Sequence, residues 1–211
     1  MTIDQRRFIA EPDVREHVHG PMRHGHRRRW MVTALVFFAL AVAIGALGWV
    51  MFGAMPAQVV LASMVLAIPL AWGAAVDWHD FIVPDRVSLG LIPLGLGMTW
   101  LVNPAVLSAH IVAALAGGLL LWVVAQGYRR FRGVAGLGLG DVKLLAAAGA
   151  WLGPEGLPGV LLIGSLAAIA ALLVRRGLTG PRALRGRIAF APYLALGIWV
   201  TWIFGSITWG A

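Results

Sequence analysis

What most constrains this chain is a succession of long apolar stretches parted by short polar breaks, because a helix needs about 20 apolar residues to cross the hydrocarbon core of a bilayer. Such stretches run over Met31–Gly53, Ala57–Val76, Val87–Val102, Val106–Gln126, Leu157–Val174 and Ile188–Trp209. Another, Val142–Leu152, is apolar but short before Gly153-Pro154, and is predicted to begin near Asp141 and to tilt or span incompletely. Lipid offers backbone N–H and C=O groups no partners, so segments of this kind must be helical. The fold class that follows is all-α, a polytopic membrane helix bundle of about seven transmembrane helices. With 60% hydrophobic and 12% charged residues in 211, the chain lies outside the range of water-soluble domains.

Three regions are expected. Residues 1–30 form a polar tail rich in Arg and His that has no core of its own. Residues 31–53 form a leading transmembrane helix, longer than a signal-peptide core and without a convincing cleavage site, so it reads as a retained anchor. Residues 57–211 form the remaining bundle. The basic residues orient it, since Lys and Arg accumulate in cytoplasmic loops. If the tail is inside, seven helices place all 17 Lys and Arg on the same side, in the tail, at Arg86, at Arg129, Arg130 and Arg132, at Lys143, and at Arg175, Arg176, Arg182, Arg185 and Arg187. Dropping the short helix puts the last five outside, so the charges favour seven. Trp30, Trp49, Trp100, Trp151 and Trp209 fall near the proposed span ends, as interfacial anchors do. The tail, with His17, His19, His24 and His26 among its Arg residues, reads as resting on anionic lipid headgroups rather than binding metal. Nucleic acid is not an expected partner, because the basic residues flank membrane segments.

The absence of cysteine excludes thiolate metal sites, disulfides and cysteine nucleophiles. Attention falls on the acids, of which there are nine. Asp4, Glu11, Asp13 and Glu16 lie in the tail, and Glu155 lies alone on the far side. Asp77, Asp80, Asp85 and Asp141 belong to the cytoplasmic side. Asp77 directly follows the second span, upstream of Ile82-Val83-Pro84-Asp85, and Asp141 opens the fifth helix after Gly138-Leu139-Gly140. Ionisable groups at a membrane boundary are costly and mark function. Two carboxylates within a few Å cannot both stay ionised and share a proton, so one serves as base and the other as acid. Such a pair activates water against a peptide bond without metal or cofactor. Gly136, Gly138 and Gly140 recur at period two, which predicts an extended segment with bare backbone against which a substrate strand can lie. Each Asp taken singly also fits a structural part, Asp141 as a helix N-terminal acid and Asp77 as the first solvated residue after a span.

The pair, the Gly-x-Gly before Asp141 and the Pro-Asp turn after Asp77 together closely resemble the type IV prepilin peptidases, the bacterial Gly-x-Gly-Asp aspartic proteases of membranes. The resemblance covers about Ala57–Trp209 and runs through Gly138-Leu139-Gly140-Asp141-Val142-Lys143-Leu144 to Gly149 and Gly153. It implies catalytic Asp77 and Asp141, with Gly138, Gly140, Lys143 and Asp85 as substrate-binding or supporting residues. It also implies removal of prepilin or pseudopilin leaders next to a Gly, at the cytoplasmic face of the bacterial inner membrane, with the N-terminus cytoplasmic and no cofactor. Family members that also methylate the new N-terminus carry paired Cys-x-x-Cys motifs in an added region; this chain has no cysteine, so the short, peptidase-only form is expected, such as those serving Flp pili. Asp80, one turn after Asp77, is the alternative first carboxylate, but the offset to the Pro-Asp turn favours Asp77. Asp85 reads as a turn or cap residue, Lys143 as either a support for Asp141 or a snorkelling side chain, and His79 as a solvated loop histidine. The competing functional classes are a non-catalytic assembly factor and a proton-relaying transporter, the latter disfavoured because the acids cluster at one interface.

Overall fold

The computed structural model describes residues 24–52, 57–133, 136–180 and 188–205. Among these the chain is helical without strands, in the order α1 (His24–Phe52), α2 (Ala57–Asp80), α3 (Asp85–Val102), a short 3-10 turn (Pro104–Val106), α4 (Leu107–Arg132), α5 (Leu139–Thr179) and α6 (Ala191–Gly205). Four stretches are long and apolar enough to cross a membrane, namely Arg29–Val50, Val59–Asp80, Pro104–Arg132 and Leu139–Thr179, and Ala191–Gly205 is a shorter apolar helix. Leu115, Leu119, Leu162, Leu166 and Leu173 are exposed on the outside of the bundle, as suits helices bathed in lipid rather than water. The chain is a multi-pass helical membrane bundle.

The helix boundaries depart from the sequence reading where polar residues continue a helix. α1 begins at His24, inside the region expected to be a structureless tail, because Arg is a good helix former and can extend an apolar helix past the membrane edge. Residues 1–23, with His17 and His19, lie outside the described residues, as do Gly53, Arg182, Arg185, Arg187 and Trp209. α2 continues through Asp80, so Asp77 sits on the last turns of a helix and not after its end. α6 begins at Ala191, three residues later than expected, with Pro192 in its first turn where a missing N–H is tolerated.

The short stretch before Gly153-Pro154 is the first arm of α5, and its neighbours reveal which way it runs. Trp151 lies edge-on to Trp202, with ring centroids 5.6 Å apart, near the C-terminal end of α6. Beyond the break, a side chain at Gly159 would touch Thr201, and one at Gly164 would touch the backbone of Leu194. Level along α6 therefore rises to Gly153 and falls after it, so the chain reverses there. Gly153 makes this turn with φ 67°, ψ −172°, a conformation for which L side chains are poorly suited. Pro154 has no N–H to give the Ala150 carbonyl, its partner in an unbroken helix. His110 from α4 takes that place, with Nδ1 3.0 Å from the Ala150 oxygen, and because a carbonyl only accepts, Nδ1 carries the proton.

Small residues let the helix backbones meet. A Cβ on Gly149 would lie 2.4 Å from the Ala113 backbone of α4, and one on Gly197 would lie 2.5 Å from the Val160 oxygen of α5. Without a hydrophobic drive between helices in lipid, such close contact is what holds them. Indole donors add directed bonds, from Trp151 Nε1 to the Leu91 oxygen (2.8 Å), Trp202 Nε1 to Ser63 Oγ (2.8 Å) and Trp199 Nε1 to the Ala41 oxygen (2.9 Å). These fix α3, α2 and α1 respectively against α5 and α6. They also place the C-terminal end of α2 beside the start of α6.

Candidate active site

Asp77 and Asp141 are brought together at one end of the bundle from elements 64 positions apart in sequence. Both are buried, at 6% and 7% exposure, which is far below what an unpartnered surface carboxylate shows. They are close enough for the Asp77 charge to act on Asp141. Asp141 stands in the first turn of α5, whose N-cap is Gly138 in an extended conformation (φ −75°, ψ 145°). The backbone of Gly138 hydrogen-bonds the Asp141 carboxylate. Asp77 Oδ2 accepts the backbone N–H of Ala191, the first residue of α6, at 3.2 Å. The site thus has three walls: the end of α2, the start of α5 and the start of α6. Asp80, the alternative first carboxylate, is half-buried at the end of α2, whereas Asp77 is the one aimed at α5 and α6.

In the Gly-rich approach to Asp141, Gly138 is extended as its period suggests, whereas Gly140 is not. Gly140 belongs to α5, so the extended segment stops at Gly138. A Cβ on Gly140 would lie 2.7 Å from Val83 Cβ and 2.9 Å from Val83 Cγ2, so this glycine lets the α2–α3 turn close onto the start of α5. A Cβ on Gly136 would meet the Tyr128 ring at 2.3 Å. Gly136 is nonetheless exposed, as is Gly138, whereas Gly140 is half-buried against Val83. Gly138 is different: its Cβ would approach Asp141 Oδ2 at 3.4 Å, an ordinary contact.

Lys143 does not reach Asp141. Its Nζ lies 2.6 Å from Asp85 Oδ1, which joins the starts of α5 and α3 across the rim of the site. Asp85 is the first residue of α3, whose N-cap is Pro84, so its carboxylate contributes through this ion pair and not through a cap bond. His79 is on α2, with Nε2 2.9 Å from Thr33 Oγ1 of α1, and is not a loop histidine. Phe81 ends α2 at φ 56°, its N–H donating to the Asp77 oxygen at 3.0 Å. A left-handed conformation is unusual for a bulky residue and is here held next to the buried acid. Glu155 is exposed beside the Gly153 turn, at the opposite end. Among the described residues no group of three or more His, Asp or Glu is arranged to hold a metal ion.

Two participants carried no signal in the sequence reading. The Ala191 N–H is a backbone group, and only Pro192, a first-turn residue, hints that a helix N-terminus lies there. His110 is buried at 3% and bonded to Ala150, far from the acids, and it shapes the α5 reversal instead of the chemistry.

The sequence model of the Type IV leader peptidase family matches residues 64–173, which include both acids. The chain is 39% identical over 166 residues to a prepilin leader peptidase/N-methyltransferase of Burkholderia pseudomallei (strain K96243), covering 79% of this chain and 52% of that protein. It is 32% identical over 177 residues to the protein of the same name from Pectobacterium carotovorum subsp. carotovorum, covering 84% and 58%. With that of Escherichia coli (strain K12) it shares 38% identity over 141 residues, 64% and 59% of the two chains. The chain spans about half the length of the curated relatives it matches. No solved structure matches it significantly.

Proposed function

Because the chain belongs to the type IV leader peptidase family, we propose that it is an aspartic endopeptidase which removes leader peptides from prepilins or pseudopilins at the cytoplasmic face of a bacterial inner membrane. The observation that carries this reading is the meeting of two buried carboxylates, Asp77 and Asp141, from separate helices at one end of a membrane bundle. In the reaction the ionised member of the pair takes a proton from a water whose oxygen attacks the scissile carbonyl carbon, while the protonated member gives its proton to the carbonyl oxygen. When the tetrahedral intermediate collapses and the C–N bond breaks, the leaving amine takes a proton from the pair. No covalent enzyme intermediate is needed, in keeping with a chain that has no cysteine. The cytoplasmic placement is supported by charge. Arg129, Arg130 and Arg132 end α4, and Arg175 is near enough to Tyr193, at the start of α6, for its charge to act there, at the same end as the acids.

The test is Asp77→Asn and Asp141→Asn in the full chain, co-expressed with a prepilin. Loss of a catalytic acid or base costs about 10²–10⁴ in rate, so each variant is expected to leave the prepilin unprocessed at unchanged enzyme level. Normal processing by both variants refutes the two-Asp mechanism. Loss at Asp80→Asn with activity retained at Asp77→Asn moves the first carboxylate.

A further inference from the structure

A cleft of about 210 Å³ lies between α1, α2 and α6, lined by Phe37, Ala41 and Ile44 on α1 and, opposite them, by Ala71 on α2 and Leu196 and Trp199 on α6. Neither acid of the candidate site lines it. Along α2 it runs from Trp78 to Ala67, a rise of about 16 Å and so about half the hydrocarbon thickness, which is the depth of one leaflet. It opens to the outside of the bundle, since Leu40 and Trp78 in its lining are both 48% exposed. Below the mouth it has little for a polar ligand, because Trp199 Nε1 is already bonded to the Ala41 oxygen at 2.9 Å. The mouth is of another kind. Trp78 lies edge-on to Phe37 at 6.2 Å and to Tyr193 at 6.5 Å, rings of the type that settle at a membrane interface. Two exposed arginines flank them. Arg175 of α5 is near enough to Tyr193 for its charge to act there, and Arg29 stands one turn before Thr33, which bonds His79 beside Trp78.

We propose that this cleft is a binding site for one anionic phospholipid, with an acyl chain lying between α1, α2 and α6 and the headgroup at the mouth, in the field of Arg29 and Arg175. The site is separate from the leader-peptidase reading and does not depend on it. Length and lining select the chain. An apolar groove left empty forfeits the dispersion contacts of its walls, and what a bilayer offers to fill a groove one leaflet deep is an acyl chain. Charge selects the headgroup. Arginines close to a bilayer surface favour anionic over neutral lipids, and the Tyr193 hydroxyl is placed at the same level to donate to a phosphate oxygen. The lipid also has a structural part. Much of α1 faces outward, with Leu35, Val36, Leu47 and Val50 exposed, and it meets the bundle through Thr33, Phe37 and Ala41. A chain in the cleft fills the space beside those contacts, so it ties α1, which lies outside the matched residues 64–173, to α2 and α6.

The experiment uses the full chain in detergent, titrated with dioleoyl phosphatidylglycerol or dioleoyl phosphatidylcholine, which share their chains and differ in charge, and read by native mass spectrometry. One phosphatidylglycerol is expected to bind at least about tenfold more tightly than phosphatidylcholine. Arg29→Gln and Arg175→Gln are each expected to cut that preference about fivefold, the worth of one charge beside an anionic surface, with the unfolding midpoint in lipid-free detergent unchanged. Arg132→Gln, at the exposed end of α4, is expected to leave the preference as it is. Location is read with phosphatidylglycerol that carries a diazirine midway along one chain, expected to label α1 near Ile44, α2 near Ala67 or α6 near Trp199. Ala71→Leu, which fills the cleft, is expected to abolish that label, and should this variant fail to fold, the position of the label in wild type decides. Equal binding of the two lipids, an unchanged preference when both arginines are replaced, or label confined to the outer faces of α4 and α5 overturns the assignment. Displacement of the bound lipid by a prepilin-type peptide also overturns it, by giving the cleft to substrate.

Discussion

Gly140→Ala is the substitution that most directly asks whether the closeness of the α2–α3 turn to α5 governs the site. In an ordinary helix this change is stabilising by about 1 kcal/mol. Here the new Cβ would sit 2.7 Å from Val83 Cβ and 2.9 Å from Val83 Cγ2, and Val83 is itself buried. A Cβ is fixed by its backbone, so rotation of the Val83 side chain relieves only the second contact. The first needs the turn and the start of α5 to part by several tenths of an ångström. Overpacking of this kind costs about 1–3 kcal/mol, so the net loss of stability is at most about 2 kcal/mol after the helix gain. Activity is expected to fall further than stability. Asp141 is the next residue and Asp77 lies four residues before the strained turn, and misplacing reacting groups by about 1 Å costs about 10²-fold. The assay is processing rate against unfolding midpoint in Gly140→Ala, alone and combined with Val83→Ala or Val83→Gly. Val83→Ala keeps the offending Cβ and should rescue little, whereas Val83→Gly removes it and should recover part of the rate. Full activity in Gly140→Ala, or equal rescue by both second changes, refutes the argument that this contact sets the spacing of the acids.

Two further outcomes are expected. His110→Ala leaves the Ala150 carbonyl without its donor in a buried place and should lower stability by about 1–3 kcal/mol in thermal denaturation, and His110→Asn, whose amide nitrogen occupies nearly the Nδ1 position, should recover part of it. Lys143→Ala and Asp85→Asn remove an ion pair whose side chains are 31% and 67% exposed, so a double-mutant cycle should give a coupling of about 0.2–1 kcal/mol; a larger loss of processing in Lys143→Ala than in Asp85→Asn would mean that the lysine also touches substrate.

The course of the chain through the membrane was legible because lipid leaves the backbone one choice, and an apolar stretch of sufficient length has to become a helix. The acids were legible for a related reason: with so few charges, Asp77 and Asp141 stood out, and their shared side followed from where the arginines fall. Helix ends were read less well. α2 carries Asp77 inside its last turns because Trp78, His79 and Asp80 continue the helix with no Gly or Pro to stop it, and it ends only where Phe81 adopts φ 56°. Of the glycines before Asp141 only Gly140 misled, because period two is read as extended backbone, while the need for a glycine there comes from Val83, 57 positions away in the sequence. Composition does not encode that kind of contact. The bond from Ala191 to Asp77 was invisible for the same reason, since a main-chain N–H belongs to every residue type except proline.

That bond nevertheless follows from the electrostatics once the helices are in place. A helix carries partial negative charge at its C-terminus and partial positive charge at its N-terminus, worth about 0.3–1 kcal/mol to a nearby charge and more when partly buried. Asp141 stands in the first turn of α5, where its own helix favours a carboxylate. Asp77 stands near the end of α2, where its own helix disfavours one, and it is buried at 6% exposure. A second helix N-terminus is what such a group requires, and α6 supplies it. The start of α6 is arranged to leave one donor over. The N–H groups of Tyr193 and Leu194 bond back to the Phe190 oxygen at 3.0 and 3.1 Å, and Pro192 has none to give. Ala191 is left to donate, and it points at Asp77 Oδ2. Each acid of the pair therefore faces the N-terminal end of one helix, and α6 is part of the candidate site electrostatically even though it lies beyond residues 64–173.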